Sequence, residues 1–222
     1  MLLSTAKMSL QVMITTMSSG MVKTCLIFIL TLVGSLPLGM IVAMLGKSKI
    51  LPVKWLIDVY LAVIRGTPLM LQLLVWHFGP YYLHLTPSIR GWKFPAIIIG
   101  FVVNYSAYFA EIYRGGIESI PKGQYEAAEV LGYSKVQTFF IILPQVIKRV
   151  MPSVTNEVIT LVKDTSLAFT LAEAEVFSLA KQISASQVSF TPFVIAGVFY
   201  FCANYLVAFI MKMIEKSMDY YR

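Results

Sequence analysis

A small set of ionisable and polar side chains lies inside long apolar stretches of this sequence, and these are the residues whose chemistry needs an explanation. An ionisable group in a membrane span is costly unless it faces other protein or a water-filled path. Such groups could bind the charged ends of a solute, or they could form structural ion pairs and hydrogen bonds between helices. The candidate solute-binding residues are Arg65, Thr67, Tyr108, Glu111, Asp164, Thr165 and Ser166.

The tetrapeptide Arg65-Gly66-Thr67-Pro68 predicts a break in the middle of one apolar run. Glycine interrupts a helix readily, threonine can cap one, and proline suits the first helical position. We therefore expect a discontinuous helix whose second half begins near the midplane, with N–H groups facing inward where a carboxylate could bind. The alternative is that Arg65 forms a structural ion pair and that Pro68 only kinks the helix.

The composition indicates the class of protein that holds these residues. Of the 222 residues, 58% are hydrophobic and 13% are charged, whereas a soluble domain usually has about 25% charged residues. This balance predicts one integral membrane domain over residues 1–222. The net charge of +7 lies mostly in short loops, which indicates topology and affinity for membrane lipid headgroups rather than binding to nucleic acid.

The apolar runs predict an all-α fold with five transmembrane helices, because a helix needs about 20 residues to cross the hydrocarbon core. The predicted spans are residues 21–45, 53–77, 95–113, 150–171 and 191–213. Pro152 is expected to open the fourth span, after a short helix that runs into Pro144. Residues 1–19 mix apolar side chains with Ser, Thr and Lys7, which favours an interfacial amphipathic helix, or else a disordered tail.

The distribution of basic residues predicts the orientation of the chain. With five spans, one side of the membrane holds the 46–54 loop, the 114–149 loop and the C-terminus, and it carries eleven lysines and arginines. The other side carries five, with Lys163 near it. Basic residues accumulate in cytoplasmic loops, so we expect an external N-terminus and a cytoplasmic C-terminus.

The 114–149 loop contains the most specific local pattern. Residues 124–131 are good helix formers, and Gly132 stands where a glycine commonly terminates a helix. Ala127 and Ala128 form a small, smooth patch with acidic side chains beside it. A short amphipathic surface helix is therefore expected here.

These residues resemble the EAA loop of bacterial ATP-binding-cassette (ABC) importer permeases. The matching residues are Glu126, Ala127, Ala128, Gly132, Ile141, Leu143 and Pro144. The segments that look like the polar amino acid uptake branch of this family are residues 106–108, 111–117, 121–124 and 162–167. The resemblance extends over about residues 20–215.

The resemblance implies a function and a set of partners. The chain would be the permease subunit of an importer in the bacterial plasma membrane, with a second permease subunit, two ABC ATPase subunits and an extracytoplasmic solute-binding protein. Its coupling helix would dock on an ATPase subunit. The residues implied in that contact are Gln124, Glu126, Ala127, Ala128 and Gly132. Arg65 and the helix start at Thr67 would receive the carboxylate of a polar amino acid. Its ammonium group would bind Asp164, Tyr108 or Glu111.

Other functions receive less support from the sequence. Gly46-Lys47-Ser48 looks like the end of a phosphate-binding loop, but the required first glycine is replaced by Ile41, so ATP hydrolysis would belong to a separate chain. A secondary transporter or channel working alone suits the intramembrane charges equally well, although no internal repeat is detectable. No catalytic set or metal-ligand spacing stands out, so we expect no enzyme activity, cofactor or metal site. The transported amino acid and the identity of the second permease subunit stay open.

Overall fold

The computed structural model describes residues 8–85 and 89–218, which form eight α-helices and one 3-10 helix. In chain order the α-helices are α1 (Leu10–Gly46), α2 (Leu51–Gly66), α3 (Leu69–Tyr82), α4 (Ile89–Glu118), α5 (Lys122–Val130), α6 (Lys135–Asp164), α7 (Val176–Gln187) and α8 (Thr191–Ser217). The 3-10 helix Thr165–Leu171 directly follows α6. The described residues contain no strand, in agreement with the predicted all-α class.

Among the described helices, length and apolarity allow three to cross a membrane: Leu10–Gly46, Gly91–Glu118 and Thr191–Ser217. A fourth span results if α2 and α3, which meet at a bend of 111°, are counted together. The predicted span at 150–171 falls on the second half of α6 and the 3-10 helix, where Glu157, Lys163 and Asp164 lower the apolarity. By this criterion the structure supports three or four spans, and the predicted number of five is not confirmed.

The first helix begins well before the predicted first span. Its N-cap is Ser9, and α1 then runs without interruption for 37 residues. The separate amphipathic helix predicted for the N-terminal segment is not confirmed, because residues 10–19 are the first turns of α1; residues 1–7 lie outside the described part. Met13 and Met17 are buried against α7 and α8, and this packing stabilises the added turns.

The sixth helix continues through both prolines that we expected to delimit it. Pro144 and Pro152 lie inside one 30-residue helix, so the prediction of a short helix ending at the first and a span opening at the second was wrong. An internal proline removes a backbone hydrogen bond, which for Pro144 is the one to the Phe140 carbonyl. A buried valine stripe at four-residue spacing stabilises the helix through packing; its members are Val146, Val150, Val154 and Val158.

The main core lies between α1 and α4, which approach closely because α1 presents glycines to α4. A Cβ at Gly34 would lie 2.7 Å from the Val102 side chain, and a Cβ at Gly39 would lie 2.8 Å from the Phe109 Cβ. Small residues allow membrane helices to pack at such short distances. A ladder of buried aromatic rings runs along α4 and comprises Phe101, Tyr105, Phe109 and Tyr113. The helix that carries the polar residues at 104–111 is thus firmly positioned.

Two buried carboxylates fasten the start of α7 at the end of the bundle that lies away from α5. Glu173 pairs with Lys23 at 3.4 Å and with Lys93 at 3.1 Å, which joins α1 to α4. Glu175 accepts two backbone N–H bonds from the first turn of α7 and one hydrogen bond of 2.8 Å from Tyr200 of α8. Burial raises the pKa of the Glu175 carboxyl group, and these three hydrogen bonds oppose the rise.

Candidate functional site

The predicted break in the second span is confirmed. The last residue of α2 is Gly66, the first of α3 is Leu69, and the two helices are bent by 111°. Thr67 ends α2 in an extended conformation, and Pro68 is the N-cap of α3 rather than its first helical residue. The break leaves backbone carbonyl groups at the end of α2 that need hydrogen-bond donors.

Gln72, in the first turn of α3, supplies those donors. Its amide nitrogen donates to the Ile64 carbonyl at 2.8 Å, to the Thr67 carbonyl at 3.1 Å and to the Thr67 hydroxyl at 2.9 Å. Its amide oxygen accepts a hydrogen bond of 3.0 Å from Asn104 of α4. Both amide side chains are buried, so the break is a fixed element of the fold. The only signal for Gln72 in the sequence is that a lone amide in an apolar run needs a partner.

We expect the Gln72→Leu variant to be less stable, because leucine cannot donate to the Ile64 and Thr67 carbonyls and leaves the Asn104 amide without its acceptor. A buried polar group without a partner costs about 1–3 kcal/mol, so the free energy of unfolding should fall by about 2–4 kcal/mol. Thermal unfolding in detergent measures this change. The matched control is Gln182→Leu at an exposed position of α7, where we expect a change below about 0.5 kcal/mol. Equal melting temperatures for the two variants would show that other contacts hold the break.

Three predicted solute-binding residues come together beside the break. A guanidinium nitrogen of Arg65, in the last turn of α2, lies 3.0 Å from a carboxylate oxygen of Glu111 on α4. The same guanidinium lies over the Tyr108 ring, 5.9 Å from its centroid. Arg114 donates two further hydrogen bonds to Glu111, at 3.0 and 2.8 Å. Arg65 is thus partly neutralised, and the geometry fits both the structural and the solute-binding role considered for it.

Asp164 belongs to a neighbouring set of polar side chains. The Tyr105 hydroxyl donates to an Asp164 carboxylate oxygen at 2.7 Å, and the rings of Tyr105 and Tyr108 are 6.3 Å apart. Glu157 of α6 lies within electrostatic range of both Asp164 and Arg65. The two sets therefore form one group between α2, α4 and α6. We refer to it as the central cluster, which comprises Arg65, Tyr105, Tyr108, Glu111, Glu157 and Asp164.

The three predicted hydroxyl residues donate to backbone carbonyls in the helical turn directly before them. The hydroxyls of Thr67, Thr165 and Ser166 each donate to a backbone carbonyl three or four residues earlier, at 2.8, 2.7 and 2.7 Å. Their lone pairs suit an ammonium group better than a carboxylate. Glu157 and Tyr105, which the sequence pattern did not select, take a larger part in the polar group than these hydroxyls do.

The helix predicted in the 114–149 loop is α5, and it presents apolar side chains to its surroundings. Ala127, Val130 and Leu131 follow helical spacing along one face, and Val130 and Leu131 are 88% and 67% exposed. We refer to these three residues as the α5 stripe. Gln124 and Glu126 are also exposed, whereas Ala128 is buried. The sequence pattern selected the alanines but missed Val130 and Leu131.

The structure ties α5 to the helices on both sides of it. The Gln145 side chain of α6 donates to the Gln124 amide oxygen at 3.3 Å. Arg149 of α6 donates to the carbonyl and the hydroxyl of Ser119, in the turn between α4 and α5. Gly132 has a φ of +74°, as expected for a glycine that terminates a helix. A displacement of α5 would therefore act on α4 and α6, which carry most of the central cluster.

Metal ligands were also sought among the described residues. No three His, Cys, Asp or Glu side chains in this part of the chain are grouped so that they could hold a metal ion. Cys25 and Cys202 are exposed thiols in separate helices. The groups positioned to bind charge are those of the central cluster.

The sequence is similar to the membrane components of several transport systems. The family described as binding-protein-dependent transport system inner membrane component matches residues 35–220. The L-cystine transport system permease protein TcyB of Bacillus subtilis is 35% identical over 208 residues, which are 92% of this chain and 87% of that protein. The arginine transport system permease protein ArtQ of Bacillus subtilis is 34% identical over 205 residues, 90% of each chain. The putative glutamine transport system permease protein GlnP of Rickettsia typhi is 35% identical over 202 residues, which are 90% of this chain and 91% of that protein.

Two solved structures resemble the fold. A crystal structure of an amino acid ABC transporter with histidines superposes with a TM-score of 0.82 at 29% identity, over 91% of this chain and 94% of that one. The inward-facing MetNI methionine ABC transporter superposes with a TM-score of 0.70 over 95% and 99% of the chains. At 17% identity, the second likeness concerns the fold alone.

Proposed function

Because this chain belongs to the family of binding-protein-dependent transport system inner membrane components, we propose that it moves a polar amino acid through the membrane as the permease subunit of an ABC importer. The family identifies the chain as a membrane-spanning permease. The nature of the solute is inferred from relatives named for cystine, arginine and glutamine transport. ATP hydrolysis belongs to separate ATPase subunits in this proposal.

The observation that carries the proposal is the central cluster, which places both signs of charge between three helices. The Arg65 guanidinium, beside the break between α2 and α3, suits the carboxylate of an amino acid. Asp164, Tyr108 and Glu111 suit its ammonium group, through charge-assisted hydrogen bonds and the ring face of the tyrosine. Thr165 and Ser166 contribute oxygen atoms that can accept hydrogen bonds from the same group.

The end of the bundle that carries α5 faces the cytoplasm in this proposal. With five spans, eleven lysines and arginines lie on that side of the membrane and five on the other. This agrees with the excess of basic residues in cytoplasmic loops. We count α6 as a fifth span, since its 30 residues extend for about 45 Å. The N-terminus is then external, and the C-terminus is cytoplasmic.

The partners follow from this orientation. Two ATPase subunits dock from the cytoplasm, one on the α5 stripe of each permease subunit, and an extracytoplasmic solute-binding protein delivers the amino acid on the other side. ATP binding draws the ATPases together and displaces α5. The contacts of Gln145 and Arg149 transmit that displacement to α6 and α4, so that two permease subunits open alternately to the two sides.

Reconstitution in vesicles tests the proposal. We expect uptake of arginine, glutamine or cystine to require ATP, the ATPase subunits and the solute-binding protein together, because no single component contains both a path and a motor. Omission of each component in turn is the control. Uptake that follows an ion gradient without nucleotide and without a second polypeptide would instead indicate a secondary transporter.

A further inference from the structure

A charged cavity lies beside the central cluster, toward the α5 end of the bundle. It has a volume of about 740 Å³ and opens between the end of α1, the face of α2 and the last turns of α4. Its cationic lining residues are Lys47, Lys54, Arg65 and Arg114, and its carboxylates are Asp58, Glu111 and Glu118. We refer to this cavity as the vestibule. Such a density of charge excludes a surface that faces lipid chains.

The charges of the vestibule differ in whether they are already paired. Glu111 bridges Arg65 and Arg114 at 3.0 and 2.8 Å, and Glu118 lies 3.6 Å from Arg114. These residues form a closed ladder along one wall. Three other charged residues line the same space, and none of them has an ion pair within the described residues: Lys47, Lys54 and Asp58. Asp58 lies within electrostatic range of Arg114 but does not pair with it.

Lys54 and Asp58 stand one helical turn apart on α2, and both are exposed. Side chains at this spacing have Cβ atoms about 5–6 Å apart, yet the two do not approach each other closely enough to pair. A ligand with a positive and a negative group next to each other can therefore bind both. The α-ammonium and α-carboxylate of an amino acid are such a pair, since only one carbon atom separates them.

The vestibule has the size of a small-molecule site, which is typically about 300–1,000 Å³. It shares the Arg65–Glu111 pair with the central cluster and so adjoins it on the side of α2. An amino acid leaving the central cluster toward the α5 end would pass this pair and reach Lys54 and Asp58 next.

We propose that the vestibule is a second, exit-side binding site for the transported amino acid, in which Asp58 binds the ammonium group and Lys54 the carboxylate. The inference rests on the proposed function. A site on this side fills from the cytoplasm when the product accumulates. Uptake then slows, because an occupied exit site hinders release of the next molecule.

Uptake into vesicles preloaded with product tests the site. The complete complex is reconstituted with ATP inside, and the lumen holds increasing concentrations of whichever of arginine, glutamine and cystine the empty vesicles take up, or sorbitol as the osmotic control. We expect the wild-type rate to fall with the luminal amino acid but not with sorbitol. The Asp58→Asn and Lys54→Gln variants should need about 2- to 5-fold more luminal amino acid for half-inhibition, the size expected for one charge contact at a water-exposed site.

The matched control is Lys49→Gln, because Lys49 lies in the loop directly before α2 but does not line the vestibule. Its half-inhibiting concentration should equal that of the wild type, with each rate expressed relative to the same variant's empty vesicles. A wild type that luminal amino acid does not slow, or equal inhibition in all variants, would overturn the inference. A response of these variants to the phosphatidylglycerol content of the vesicles, without a response to amino acid, would identify a lipid headgroup site and also overturn it. Absence of ATP-driven uptake into empty vesicles would refute the proposed function itself.

Discussion

The Ala127→Arg variant is expected to lose ATP-driven uptake and to release the ATPase subunits from the permease. Ala127 is exposed in the α5 stripe next to Val130 and Leu131, and a long cationic side chain would occupy the space where a partner surface must fit. Disruption at the centre of an interface costs about 2–4 kcal/mol, which corresponds to a loss of at least about 30-fold in binding. Co-purification of the ATPase with the permease measures this loss, and uptake in vesicles measures its consequence.

The matched control for this variant is Ala185→Arg. Ala185 is an exposed alanine of α7. Helix α7 packs against the first turns of α1, whereas α5 lies near the last turns of α1, so the two positions are at opposite ends of that helix. The same chemical change there should leave the ATPase bound. Retention of the ATPase by Ala127→Arg would contradict the assignment of α5 as the docking element, whereas its loss from both variants would indicate a general defect.

The Asp164→Asn variant is expected to lower uptake by about 10- to 100-fold, the effect of about 1.4–2.8 kcal/mol, while the ATPase stays bound. In the wild type the hydroxyl of buried Tyr105 donates to the Asp164 carboxylate. The variant keeps this hydrogen bond, because an asparagine oxygen can still accept it. The substitution therefore removes the charge that would bind an ammonium group and preserves the local packing. Glu215→Gln, at an exposed position near the end of α8, is the control and should transport as the wild type does.

Arg65 and Glu111 allow the structural and solute-binding roles to be separated. If the pair at 3.0 Å serves only the fold, Arg65→Ala should lower uptake only as far as it lowers thermal stability. If Arg65 binds the solute carboxylate, Arg65→Ala should lower uptake while the melting temperature and the bound ATPase change little, because Glu111 keeps its two hydrogen bonds from Arg114. We expect the second result. Uptake equal to the wild type in Asp164→Asn and in Arg65→Ala would remove the central cluster as the solute site.

The sequence predicted those features that depend on local chemistry. The break at Gly66 to Pro68 was predictable because glycine and proline disfavour a continuous helix, and Gly132 marked the end of α5 because its positive φ suits glycine. The continuation of α6 through Pro144 and Pro152 was not predictable in the same way. It depends on packing of the valine stripe, and such tertiary contacts outweigh the local preference of proline.

The residues of the site likewise divide into those that local chemistry made predictable and those that only tertiary contacts show. Charged residues in apolar runs were recognisable from their cost in a membrane, and Arg65, Tyr108 and Glu111 do come together. Gln72 and Tyr105 escaped notice, because amide and phenol side chains are common in membrane helices and only the fold shows what they bind. The pairing of Arg65 with Glu111 likewise required the crossing of α2 with α4.

Cross-linking from α5 tests most directly whether a separate ATPase acts on this chain there. The exposed cysteines Cys25 and Cys202 are replaced by alanine. A single cysteine is then introduced as Lys122→Cys, at the exposed first residue of α5 outside the α5 stripe, or as Ala185→Cys. Each cysteine is labelled with a maleimide–benzophenone probe in the assembled complex. The account predicts a photoproduct with the ATPase from position 122, with a yield that changes when ATP is added, and none from position 185. A transporting complex in which the probe at position 122 reacts only with lipid or with the permease would contradict it.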